Sequence, residues 1–165
     1  MLRRLLIMRH AKSSWNNATL SDHERPLNGR GQRAAPEMGQ QLAKAPYNLE
    51  RAYVSDATRT TETWLYMAPY LPDLTVSYHA QLYGGTLQDI ERLIGQASPS
   101  TSTILVLGHN PGFSAAASYL TGEYIELKTA HIAVLETESE DWGAPFEKNS
   151  WTLAAVLSPK EAIKR

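Results

Sequence analysis

The chain has 165 residues, of which 42% are hydrophobic and 20% charged, with 16 Lys and Arg against 17 Asp and Glu and no cysteine. This is the composition of one folded domain with a full core, burying roughly 70% of the surface its unfolded chain exposes, and it excludes a disordered chain. The net charge of −1 argues against a broadly basic nucleic-acid binder, and the missing cysteine excludes a disulfide scaffold, a thiol nucleophile and a Cys-ligated metal.

The first apolar run is Leu5 to Met8, preceded by Arg3 and Arg4. A secretory core needs about 7–15 apolar residues and a membrane span about 20, so this run of four reads as a strand. The expectation is a cytoplasmic protein that makes no membrane contact and loses no leader. Similar runs follow at Ala52–Val54, Leu74–Val76, Ile104–Leu107, Ile132–Leu135 and Trp151–Val156. Short, β-branched runs without polar alternation suit strands buried on both faces.

Helical spacing fills the intervals. Ala34, Met38 and Leu42 recur every four residues, and Pro36 inside that pattern is expected to kink or delay the helix. Thr61, Trp64, Leu65 and Ala68 form a second stripe; Leu87, Ile90, Leu93, Ile94 and Ala97 form a third. Phe113, Ala116, Ala117 and Leu120 form a fourth, with Asn110 as its N-cap and Pro111 as its first helical residue. The acidic stretch from Thr137 to Ser150 reads as a surface loop. Strand–helix alternation predicts a three-layer α/β/α domain over residues 1–165. Its central sheet is mostly parallel, with an antiparallel part where the last two strands follow one another.

Ligands of such folds bind beyond the carboxyl ends of the strands. Beyond the first run stand Arg9, His10, Ala11 and Lys12, and beyond the second Ser55, Asp56 and Arg59. His79 follows the third; Gly108, His109, Asn110, Pro111 and Gly112 follow the fourth. A single histidine at a strand end is usually structural, and an arginine at a helix start is usually solvated. Arg59 also opposes the helix dipole unless an anion sits beside it. The coincidence of all four segments at one sheet edge points instead to phosphoryl chemistry. Arg9 and Arg59 offer forks that match phosphate oxygens. His10 is a competent nucleophile at neutral pH, and His109 a donor to a phosphoryl oxygen.

These residues resemble the histidine phosphatase superfamily, the fold shared with phosphoglycerate mutases. Leu6 to Ala11 is similar to its opening strand and RHG motif. Ser55 to Thr63 is similar to the second motif, and Gly108 to Gly112 to the third. Arg25-Pro26-Leu27-Asn28-Gly29-Arg30-Gly31 resembles the approach to the first helix in the short, SixA-type branch of phosphohistidine phosphatases. The resemblance spans nearly the whole chain and implies the minimal form of the fold. It implies that His10 is transiently phosphorylated, that Arg9, Arg59 and His109 cradle the phosphoryl group, and that Arg25 and Asn110 contact phosphate or substrate. It implies no metal and no cofactor. The partner is then a protein carrying phosphohistidine, or a small phosphorylated substrate.

Two positions depart from the pattern. Ala11 replaces the Gly of RHG, a small residue that still fits beside phosphate. In the mutases a Glu before a His-Tyr-Gly-Gly stretch protonates the leaving oxygen; in His79-Ala80-Gln81-Leu82-Tyr83-Gly84-Gly85 its place falls to Ala80 or Gln81. Mutase activity is therefore not expected, unless Asp22, Glu24 or Glu91 supplies the acid. Three other readings compete. One is a small-molecule phosphomonoesterase of the same superfamily. Another is a metal-dependent hydrolase using His10, His79 and His109 with Asp22 or Asp56. The last is a non-catalytic phosphopeptide-binding module.

Overall fold

The computed structural model describes residues 1–143 and 145–160. Six strands form one sheet in the order β3-β2-β4-β1-β5-β6. They are β1 (Leu2–Arg9), β2 (Arg51–Ser55), β3 (Thr75–His79), β4 (Thr103–Gly108), β5 (Ile132–Glu138) and β6 (Thr152–Leu157). β1, β2, β3 and β4 run parallel to their neighbours among themselves, whereas β5 pairs antiparallel with both β1 and β6.

The run Leu5 to Met8 has a simple physical origin. Successive strand residues point to opposite faces, so a strand covered on both sides needs apolar residues at every position. Leu5 and Ile7 pack with Ile104 and Val106 into one core, Leu6 and Met8 with Leu105 and Leu107 into the other. Helices α3 (Leu87–Ile94) and α4 (Gly112–Thr121) cover the first face through Ile90, Ile94, Phe113 and Leu120. Helices α1 (Gly29–Lys44) and α2 (Thr58–Met67) cover the second through Ala35, Met38, Leu42, Trp64 and Met67. This is the three-layer arrangement expected from the strand–helix alternation.

Four local expectations are corrected. α1 is not delayed by Pro36: it starts at Gly29, where the Asn28 side chain accepts from Gly31 N at 3.0 Å, and runs through the proline. The cap and the buried Ala35–Met38–Leu42 face offset an interior proline that costs about 3 kcal/mol. Of the expected α2 stripe, Trp64 is buried and Ala68 packs against the same core, but Leu65 is exposed and Thr61 only half-buried; the buried face is instead Arg59, Thr60, Thr63, Trp64 and Met67. The threonines tolerate burial because each hydroxyl bonds a backbone carbonyl: Thr60 that of Ser55 at 2.7 Å, Thr63 that of Arg59 at 2.7 Å.

α4 begins at Gly112 with Pro111 in the cap position, one residue later than expected. Gly112 is required here, since a Cβ would collide with the Gly85 carbonyl oxygen. The stretch after Thr137 is more than a surface loop. β5 continues to Glu138, and Trp142, Phe146 and Trp151 are then buried in the first core. Arg3, only 1% exposed, ties this segment down by donating to the carbonyls of Pro99, Thr101, Ser139 and Glu140 at 2.6–3.1 Å.

Candidate active site

The carboxyl ends of β1, β2 and β4 deliver their motif residues to one cleft of about 360 Å³. Arg9, His10, Arg25, Arg59, His109 and Asn110, the six expected site residues, all line it. Lys12, Ser13, Trp15, Asp22 and Thr129 line it too. Register explains the convergence: Arg9 at the end of β1 pairs with Gly108 at the end of β4, so His10 and His109 emerge side by side, ring centroids 5.3 Å apart.

His10 is buried and held in one tautomer. Its Nδ1 lies 2.7 Å from the Ala11 carbonyl oxygen, which only accepts, so Nδ1 carries the proton and Nε2 the lone pair. Arg59 Nε donates to that Nε2 at 3.3 Å. Burial pushes the His10 imidazole down to about 4, reinforced by the positive charge of Arg59, so the ring is neutral at pH 7. The turn that carries it is fixed from α2, where Thr63 Oγ1 accepts from Ala11 N at 3.0 Å.

His109 is tuned the same way. Burial, with the neighbouring His10 and Arg59, pushes it down to about 3. Its Nε2 meets Ser55 Oγ at 2.8 Å, and Ala57 N donates to that oxygen at 3.3 Å. The serine hydroxyl proton is thus free to donate to Nε2, which leaves the ring proton on Nδ1. Among the described residues, His109 Nδ1 and Arg9 Nε are the two buried side-chain polar atoms without a hydrogen-bond partner. Native proteins satisfy nearly all such groups, so two orphaned donors at one cleft mark an anion site.

Arginine dominates the electrostatics. Arg59 occupies the second position of α2 and reaches back over the cleft. Its two terminal nitrogens grip Asp22, one on the backbone oxygen at 2.7 Å and one on Oδ2 at 3.0 Å. The other carboxylate oxygen of Asp22 accepts from Arg25 at 2.8 Å, and the Tyr83 hydroxyl donates to Oδ2 at 2.5 Å. These partners, Tyr83 foremost, hold the Asp22 carboxyl far below its ordinary range. Among the described residues Asp22 is the sole carboxylate in the cleft lining, and it is a fixed acceptor that carries no proton at neutral pH.

Asn110 is engaged at both ends of its amide. Its nitrogen donates to the Leu127 carbonyl at 2.7 Å, which Arg9 also reaches at 3.3 Å, and its oxygen accepts from Ser114 N and Oγ. Asn110 therefore still ties down the start of α4, although the helix begins at Gly112. The other acid candidates stand elsewhere: Glu24 caps Ser21 in an exposed turn, and Glu91 is exposed on α3. Ala80 and Gln81 are exposed and absent from the cleft lining; of that stretch it is Tyr83 that reaches Asp22. His79 bonds Ser77, Asp56 bonds His23, and no group of three metal-ligating side chains is gathered among the described residues. The ligand set considered for a metal-dependent hydrolase is thus not assembled. Lys12, Ser13, Trp15 and Thr129 were not singled out by their residue types; adjacency to Arg9-His10 was the available signal for the first three.

The family model of the histidine phosphatase superfamily (branch 1) matches residues 5–94. The chain belongs to that superfamily. An uncharacterized chloroplastic protein of Arabidopsis thaliana is 34% identical over 98% of this chain and 80% of its own length. Among solved structures, SixA of Nakamurella multipartitia superposes with a TM-score of 0.83 at 28% identity, covering 96% of this chain and 97% of that one. The protein histidine phosphatase SixA complexed with tungstate reaches 0.79 at 22% identity, covering 94% and 97%. The fold is phosphoglycerate mutase-like in its short form, and superfamily membership supports phosphatase activity. No helix among the described residues is long and apolar enough to cross a membrane.

Proposed function

We propose that this histidine phosphatase superfamily member hydrolyses protein phosphohistidine in the cytoplasm, without a metal, through a phosphohistidine intermediate on His10. The observation that carries this reading is the state of His10: neutral, proton on Nδ1, lone pair on Nε2, and that lone pair facing the Arg59 guanidinium at 3.3 Å. The likeness to SixA structures supports the substrate class.

In the first step Nε2 of His10 attacks phosphorus while the bond from phosphorus to the leaving nitrogen breaks. The electron pair departs with an imidazole already protonated on its other nitrogen, which leaves as a neutral molecule. His10 becomes cationic, and its Nδ1–H bond to the Ala11 carbonyl steadies that charge. Arg9, Arg59 and the Nδ1–H of His109 donate to the phosphoryl oxygens as charge gathers on them. Arg25 and Asn110 complete the binding wall. Water then attacks the phosphorus of phosphorylated His10. The new O–P bond forms as the P–Nε2 bond breaks, its electron pair returns to Nε2, and phosphate departs with the water proton passing to its oxygens or to solvent.

Rapid-quench trapping with ³²P-labelled substrate tests the reading. Acid-labile, base-stable label on the wild type, absent from His10→Ala together with turnover, is the expected result. Label retained by His10→Ala means another nucleophile. Inhibition by EDTA that added metal reverses means a metal-dependent hydrolase, and tight phosphopeptide binding without turnover means a binding module.

A further inference from the structure

The cleft has a floor and a mouth. His10, 6% exposed, belongs to the floor; Trp15, 75% exposed, also lines the cleft and stands at its mouth. An indole left in water forgoes the stabilisation that burial gives an aromatic side chain. Its place is nonetheless fixed. The Arg25 guanidinium lies against the ring, 3.3 Å from its centroid. Arg25 is itself buried, donating through Nε to the Ser14 carbonyl at 3.1 Å, to Asp22 at 2.8 Å and to the Ser13 hydroxyl. One face of the indole therefore rests on an anchored cation, and the exposed remainder of the ring is open.

The direction of the reaction gives that open surface a use. In-line attack by a nucleophile on the floor sends the leaving group away from the floor, toward the mouth. Lys12, also exposed, lines the same cleft. The leaving group of a phosphohistidine is a planar ring bonded directly to phosphorus, and that of an aryl phosphate is a ring one oxygen further out. Offset stacking on a fixed indole suits either ring, and because Arg25 already holds the indole little ordering remains to be done on binding.

We propose that Trp15, backed by Arg25, is the specificity platform of this cleft: its open face stacks the aromatic ring that carries the phosphoryl group. The proposal rests on the phosphatase reading above, and its binding test requires no turnover. Phenylphosphonate and methylphosphonate, whose C–P bonds resist hydrolysis, are titrated calorimetrically into wild type, Trp15→Phe and Trp15→Ala. The wild type should bind phenylphosphonate about 10-fold more tightly than methylphosphonate, a ratio within the range of aromatic pairing. Trp15→Ala should lose that ratio, Trp15→Phe should keep most of it, and methylphosphonate should bind all three alike. In turnover, Trp15→Ala should raise KM for phosphohistidine about 10-fold with little change in kcat, and leave ring-free phosphoramidate unaffected. Equal loss with both phosphonates would show that Trp15 merely props Arg25 and would overturn the platform, as would equal affinity for the two, or no affinity for either, in the wild type. Phenyl-over-methyl discrimination that depends on Trp15, in an enzyme that does not turn over phosphohistidine, sustains the platform and refutes the proposed substrate instead.

Discussion

Arg59 Nε points its hydrogen at His10 Nε2 from 3.3 Å, while the other two nitrogens of the same guanidinium hold Asp22. One side chain thus connects the ring proposed as nucleophile to the Asp22 carboxylate of the cleft. A phosphoryl group entering beside His10 competes with Asp22 for Arg59. The guanidinium is rigid and always charged, so it passes from one anion to the other without changing protonation state.

Loss of that fork should be expensive. Arg59→Ala and Arg9→Ala should each reduce kcat by roughly 10²–10³, the effect of removing one preorganised transition-state donor. Arg59→Lys should restore little, because an ammonium cannot reach Nε2 and two phosphoryl oxygens together. Single-turnover rates on purified, folded variants check this. Loss confined to KM would mean that the arginines bind the ground state only.

Substrate preference follows from the protonation state of Asp22. With Ala80 and Gln81 outside the cleft lining and Asp22 held ionised, no carboxylic acid among the described residues stands ready for a poor leaving group. General acids contribute about 10²–10⁴-fold, so kcat/KM for phosphohistidine or para-nitrophenyl phosphate should exceed that for an alkyl monoester by at least about 10². Asp22→Asn should lower all of these substrates by a similar factor, through Arg59 and Arg25. A loss concentrated on the alkyl ester would make Asp22 the acid.

The acid limb of the pH profile should lie unusually low. His10 must be neutral to attack, and its folded value is about 4, below the ordinary 6.5. After correction for the substrate's own ionisation, kcat/KM should fall only as pH approaches about 4; a limb near 6.5 would contradict the depression of His10 by burial. Stability changes in a related window. Between 6.5 and the folded values of about 4 and 3 for His10 and His109, the unfolded chain binds more protons than the folded one. Stability therefore rises with pH across this range, is complete above about 6.5, and is lost as pH falls. The depressed Asp22 carboxyl adds a loss of the same sign below its ordinary 3.8. Thermal midpoints measured from pH 8 to 4 should fall on the acid side, and less steeply for His109→Asn.

Arg3 predicts a stability effect remote from chemistry. Arg3→Ala empties a buried side-chain site and takes a charged donor from the carbonyls of Pro99, Thr101, Ser139 and Glu140, of which Thr101 keeps Trp142 Nε1. It also removes the cation that lies 5.8 Å from the Trp142 ring. Destabilisation of about 3 kcal/mol is expected from the lost charged hydrogen bonds and the volume left empty, read as a lower urea midpoint, with kcat unchanged well below the transition.

Local pattern carried much of this protein. Apolar runs of three to six residues marked the six strands. The central β1 and β4 are buried on both faces, because a covered strand needs an apolar residue at each position, whereas β3 and β6, at the sheet edges, are only partly buried. Arg9, His10, Arg59, His109 and Asn110 were legible because strand ends of an α/β sheet deliver whatever follows them to one edge, whereas Arg25, which follows no strand, came only from the resemblance to the SixA-type branch. Only the tertiary structure decided the rest. The face of α2 turned on hydroxyls of Thr60 and Thr63 finding carbonyls, which a hydrophobic stripe does not record. The setting of buried Trp142 depended on Arg3 at the other end of the chain, which lies over its ring and holds the Ser139 and Glu140 carbonyls. The tautomer of His109 depended on Ser55, the ionised state of Asp22 on Tyr83, Arg25 and Arg59, and the setting of Trp15 on Arg25. Residue periodicity encodes which side chains leave water. It does not encode which donor meets which acceptor once distant segments pack, and in this cleft those pairings set charge, proton position and the open face of the indole.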